Sequence, residues 1–148
     1  MTYPSPDTSR RRHAAQAYAN VGLQTQVLGA NPTHLITLLF EGARAAISKA
    51  HIYMQQGNIQ ERGNAISKAI EIVDGGLKAS INLEEGGELA KNLVAVYDQV
   101  IRNLLLANLN ADSEKLDLAE RLLESIGSAW RTAVDIPQHN AATVPSRL

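Results

Sequence analysis

Asn31-Pro32-Thr33-His34-Leu35-Ile36-Thr37-Leu38-Leu39-Phe40-Glu41-Gly42-Ala43-Arg44-Ala45-Ala46-Ile47-Ser48-Lys49-Ala50-His51-Ile52-Tyr53-Met54-Gln55-Gln56-Gly57-Asn58 is the stretch from which the fold is read. Asn31 is a good helix N-cap, and Pro32 suits the first turn, where its missing N–H costs nothing. Apolar or small residues then recur at Leu35, Leu39, Gly42, Ala46, Ala50 and Tyr53. A spacing of three and four is that of a helix with one face in a core. Gly57-Asn58 is a plausible left-handed stop. The stretch is one long amphipathic helix.

The same period continues outward from it. A second helix is expected over about 59–82, with Ile66, Ile70, Val73, Leu77 and Ile81 on its stripe. Gly75-Gly76 interrupts that helix, which implies either close contact with a neighbouring backbone or a kink. Glu84-Glu85-Gly86-Gly87 reads as a turn. A third helix follows over about 88–108, with Leu89, Leu93, Val96, Val100, Leu104 and Ala107 inward. After Asn110-Ala111-Asp112-Ser113, Asp112 or Ser113 caps a fourth, carrying Leu116, Ala119, Leu123, Ile126, Trp130 and Ala133. Upstream, residues 13–26 around Tyr18 form an Ala- and Gln-rich segment that suits a short helix needing tertiary support. No strand-like alternation occurs. The expected fold is all-α: an antiparallel up-down four-helix bundle with an additional short N-terminal helix. Residues 1–12 are expected as a flexible N-terminal tail, 13–134 as the bundle domain and 135–148 as a flexible C-terminal tail.

Composition narrows the function. The 148 residues are enough for one domain with its own core. There are no cysteines, which excludes disulfides, thiol catalysis and cysteine-ligated metals. A net charge of −1 supplies no field for nucleic acid, and Arg10-Arg11-Arg12 reads as a solvated terminus. No apolar run is long enough for membrane insertion, and the N-terminal residues lack the apolar stretch of a secretory signal. A soluble cytosolic protein is expected. The residues three before the histidines are Arg10, Asn31, Ser48 and Ile136, so the Glu-x-x-His pairs of di-metal bundles are missing. Glu84, Glu85 and Glu88 lie beside no nucleophile, and no phosphate-loop or zinc motif occurs. The expectation is a non-enzyme with no cofactor and no metal.

What the helices do carry is apolar surface in excess. Beside the core stripe of the first long helix runs a second one through Ile36, Phe40, Ala43, Ile47 and Met54. Beside that of the third runs Ala90, Val94, Tyr97, Ile101 and Leu105. A bundle helix facing one core shows about three apolar positions in seven. Two readings remain open. Either the core is broad and partly covered by the N-terminal segment, or some of this surface forms grooves for a partner's amphipathic helix. The candidate partner-binding residues are Ile36, Phe40, Ile47, Val94, Tyr97, Ile101 and Leu105, with Tyr18 in a displaceable lid.

These segments also carry a family resemblance. Ala17-Tyr18, Asn31-Pro32-Thr33-His34-Leu35-Ile36, Leu38-Leu39-Phe40-Glu41-Gly42-Ala43 and Ser67-Lys68-Ala69-Ile70-Glu71-Ile72 occur in order. Gly86-Gly87-Glu88-Leu89-Ala90-Lys91-Asn92-Leu93, Val96-Tyr97-Asp98, Leu105-Leu106-Ala107-Asn108 and Ala129-Trp130 follow. In these the chain resembles the flagellar secretion chaperone family FliS; Phe40 departs from the tyrosine many members have there. The resemblance implies a cytosolic bundle that binds the disordered C-terminal segment of flagellin. It implies too that flagellin is kept from polymerising and is passed to an export gate protein of the flagellar type III apparatus. The segment around Tyr18 would cover part of the binding surface and help gate recognition. A homodimer of the client-free protein is left open, as is a rival reading as a structural or regulatory bundle that pairs with itself or another bundle.

Overall fold

A computed structural model describes residues 31–143, with side chains described over 31–134. Tyr18 and the expected N-terminal helix and tail lie outside the described residues. Among the described residues the protein is all-helical: α1 is Pro32–Gln55, α2 Ile59–Ile72, α3 Leu83–Asn110 and α4 Ser113–Thr143.

Each boundary has a local cause. The Asn31 Oδ1 accepts the His34 N–H at 2.8 Å, satisfying an amide that the first turn of α1 leaves unpaired. At the other end Gly57 takes φ +69°, a conformation that a Cβ disfavours. Its N–H and that of Asn58 donate back to the carbonyls of Met54 and Tyr53. Asn58 then caps α2 directly, accepting the Glu61 N–H at 3.2 Å. α1 therefore follows the sequence reading closely.

α2 does not. It leaves α geometry after Ile72, passes through a wide π-helical turn at Val73–Leu77 and finishes in a 3₁₀ turn, Lys78–Ser80. Gly75-Gly76 sits inside the π turn, so the interruption is a distortion of the helix rather than a pause in a regular one. Val73, Gly76 and Leu77 stay buried there, against both α1 and α3. Lys78 Nζ donates to Asp98 Oδ1 at 2.7 Å and pins this turn to α3.

α3 starts at Leu83, earlier than the expected Glu88, because Asn82 is a cap. Its Oδ1 accepts from the Glu84 and Glu85 amides at 3.1 and 3.2 Å. The expected turn is thus one helical turn followed by a break at Gly87 (φ 56°, ψ −134°). The far end is closed by Ala111 in the left-handed region at φ 51°. Arg62 from α2 reaches across to it, donating to the Asn108 side chain at 3.1 Å and its carbonyl at 3.0 Å. Asp112 caps α4 through the Glu114 and Lys115 amides. α4 runs on through Pro137 to Thr143, past the tail boundary expected at residue 135. Proline removes one backbone donor, to the carbonyl of Ala133, yet the helix resumes beyond it.

α1 packs against α2 and α4, and α3 against α4, while α2 and α3 meet more sparingly. The core is one cluster built mainly from Leu35, Leu39, Ile47, Ile66, Ile72, Leu77, Val100, Leu104, Leu116 and Leu123. Burying each such side chain contributes about 1.5–3 kcal/mol. Because α1 lies against neighbours on two sides, both of its apolar stripes are used. Leu35, Leu39, Ala46 and Ala50 are buried from the first, Phe40, Ala43 and Ile47 from the second.

Candidate partner-binding surface

The seven described candidates divide by depth. Phe40, Ile47 and Tyr97 are 4%, 0% and 3% exposed and belong to the core cluster. Ile36, Val94 and Ile101 are half-buried. Leu105 stands in the open, 56% exposed. On α1 the excess apolar width therefore goes largely into a broad core. On α3 it does not.

The phase of α3 explains the difference. Its buried apolar residues are Ala90, Tyr97, Val100, Leu104 and Ala107, with Leu93 packed on their edge, so the inward stripe passes through Tyr97 rather than Val96. Leu89, expected inward, is exposed beside the Gly87 break. Burial pushes the Tyr97 phenol well above its ordinary pKa, because its ionised form would sit in apolar surroundings. Turning outward from this stripe, Ile101, Leu105 and Leu109 follow one another at i, i+4 and i+8 and form a row along the helix. Leu109 is 78% exposed. It was not among the sequence candidates, although continuing their four-residue step from Leu105 reaches it.

This row lies on the helix whose contact with α2 is sparing. Its polar borders are fixed at both ends. Asp98, one turn before Ile101, holds Lys78, and the hydrogen bond between them raises the Lys78 pKa. Asn108, beside Leu109, takes the Arg62 guanidinium.

A second recess lies between α1 and α4, lined by Thr37, Phe40, Glu41, Arg44, Gly127, Trp130 and Arg131. The Trp130 indole N–H donates to Thr37 Oγ1 at 3.3 Å, which in turn donates to the Thr33 carbonyl. Glu124 bridges the two arginines at its rim: Oε2 lies 2.9 Å from Arg44 Nη1, and Oε1 accepts from Arg131 Nη2 at 2.9 Å. The Oε2 atom is closed off from solvent and meets Arg44 as an ion contact rather than a well-directed hydrogen bond.

Among the described residues no arrangement of carboxylates and imidazoles points to catalysis. His34 is exposed on the first turn of α1. His51, near the other end, faces Asp117 and Glu120 of α4 at 3.2 and 3.4 Å. Among the described residues no group of three such side chains is placed to hold a metal ion. No described helix is long and apolar enough to cross a membrane.

A helical bundle that leaves leucine side chains open beside a half-buried isoleucine along one helix has the surface of a protein that holds another chain. A family model described as "Flagellar protein FliS" matches residues 14–137, and the chain belongs to the FliS family. The flagellar secretion chaperone FliS of Salmonella typhimurium is 45% identical over 116 residues, 78% of this chain and 86% of the relative. That of Escherichia coli is 38% identical over 122 residues, 82% of this chain and 90% of the relative. The flagellar secretion chaperone FliSB of Pseudomonas aeruginosa is 39% identical over 117 residues, 79% of this chain and 92% of the relative. The protein is a flagellar export chaperone, of a family that works without catalysis.

Proposed function

We propose that the chain binds the disordered C-terminal segment of flagellin in the cytosol, prevents its premature polymerisation and delivers it to the export gate protein. The observation that carries this reading is the apolar row of half-buried Ile101 with exposed Leu105 and Leu109 in a member of a flagellar chaperone family. A disordered client loses conformational entropy when it is ordered, so affinity has to come from a long apolar contact. A row spanning the eight residue steps from Ile101 to Leu109 of α3 offers about 12 Å of such contact at about 1.5 Å per step. Val94 extends the client surface along α3, Ile36 offers a further apolar contact on α1, and Phe40, Ile47 and Tyr97 support these helices from the core. Tyr18 belongs to a segment that covers part of this surface until the client or the gate takes it.

In this reading the helices run up and down in alternation, as the short connections at Gly57 and Ala111 favour. The N-terminal segment adds a short helix to the bundle. The client-free protein is free to pair with a second copy through the same apolar row.

Calorimetric titration with a peptide of the flagellin C-terminal segment tests the proposal. Tight binding with a large negative heat-capacity change is expected. Leu105→Asp should weaken it at least about tenfold while helicity is retained, since the side chain is exposed. A chain that self-associates but takes no flagellin peptide is a structural bundle and not this chaperone.

A further inference from the structure

Asp98, Ile101, Leu105 and Asn108 stand at i, i+3, i+7 and i+10 and so share one stripe of α3. Both ends of that stripe are tied across to the preceding helical segment. Lys78 Nζ donates to Asp98 Oδ1 at 2.7 Å, and Arg62 donates to the Asn108 side chain and carbonyl at 3.1 and 3.0 Å. The ties are ten residue steps apart along α3, about 15 Å at about 1.5 Å per step. Between them the surface is apolar and partly open. Ile70, eight residues after Arg62 and on the same face of α2, is half-buried, as is Ile101, and Leu105 is exposed. α2 itself meets α3 sparingly, so the polar ties do much of the holding.

The Lys78 tie is a poor device for stability. The Lys78 and Asp98 side chains are 32% and 54% exposed, and an ion pair so open to water contributes little. The chain nevertheless leaves α geometry to make it. The extra residue of the π turn at Val73–Leu77 rotates everything after it by about 100°, and so decides that Lys78 faces α3. Such turns are rare and concentrate at functional sites. Asp74, inside the same turn, lies 3.6 Å from the Lys78 ammonium and steadies it. We infer that Lys78 is a positioning residue for the client: by holding the π turn to Asp98 it sets the separation of α2 and α3, and with it the width of the groove that the flagellin segment fills. This rests on the client reading above and adds the residue that shapes the site without being its apolar contact. A groove held at its working width costs the client less ordering on binding than one whose walls drift.

Lys78→Met keeps the unbranched stem and removes the ammonium. Its thermal midpoint should move by no more than about 4 °C, while calorimetric titration should show the flagellin C-terminal peptide bound at least about tenfold more weakly. Lys78→Arg, which keeps the cation, should recover most of that loss. The separation itself can be read without any client. The chain has no cysteine, so spin labels placed through Ser67→Cys on α2 and Arg102→Cys on α3, both exposed, report one distance. That distance should be narrowly distributed with Lys78 present and broader in Lys78→Met. Full peptide affinity in Lys78→Met, or an unchanged distance distribution, overturns the positioning role and leaves the client reading intact. A loss of affinity that only follows a collapse of the thermal midpoint, with no recovery in Lys78→Arg, makes Lys78 a structural residue and overturns it too. Wild-type protein that takes no peptide overturns both readings.

Discussion

Tyr97 is a phenol enclosed in the core, and this has a consequence for stability. Its pKa is raised by burial, so the folded protein keeps the proton after an unfolded chain has released it. Above the ordinary tyrosine pKa of about 10, the unfolded state therefore binds fewer protons, and stability falls as pH rises. The contribution is fully present below that pH and is lost progressively above it. Lys78 acts in the same direction: hydrogen bonding to Asp98 raises its pKa, so that contact too is intact until strongly alkaline pH. Denaturant titrations between about pH 9 and 11 should show a falling midpoint. Tyr97→Phe, which keeps the ring, should flatten the fall while changing stability at neutral pH by less than about 1 kcal/mol. Phenolate absorbance should show one of the four tyrosines ionising only as the protein unfolds.

At the scale of the element, helix ends decide more than helix middles. α1 was legible because its signals are local: Asn31-Pro32 begins it and Gly57 ends it. Asn82 is an equally good cap, but the Glu-Glu-Gly-Gly run after it reads as a turn, so the first turn of α3 was missed. The inward stripe of α3 was misplaced for a related reason. Val96 and Tyr97 are adjacent and both apolar, and only packing against the other helices selects Tyr97. The π turn was legible as an interruption at Gly75-Gly76 but not in kind, because its shape depends on Val73 and Leu77 being held between α1 and α3. Ala111 offers a test of the end-capping argument. An alanine at φ 51° carries roughly 1–2 kcal/mol of left-handed strain that glycine does not. Ala111→Gly should raise stability by up to about 1 kcal/mol after the extra freedom of the unfolded chain is counted. Arg62→Ala should lower it by about 1–2 kcal/mol, because the guanidinium holds both the side chain and the carbonyl of Asn108. Urea unfolding measures both.

For the whole molecule the question is how a chaperone without catalysis does work, and the answer lies in linkage. A protein that only holds its client gains stability from binding in proportion to RT ln(1 + [L]/Kd). The bundle itself has one core cluster shared by all its helices, so it should unfold as a unit and report that gain in a single transition. Leu105 and Leu109 of the α3 row lie outside that core, which is why the client can stabilise the folded state without repairing it. With the flagellin C-terminal peptide at one hundred times its dissociation constant, the gain is about 2.7 kcal/mol. For a chain of this length each kcal/mol moves the midpoint by about 2–4 °C, so scanning calorimetry should show a rise of roughly 5–11 °C. Leu105→Asp should melt near the wild type alone, since the residue is exposed, yet gain little from the same peptide. If instead the variant melts far lower without peptide, Leu105 is a structural residue and the apolar row is not where the client sits.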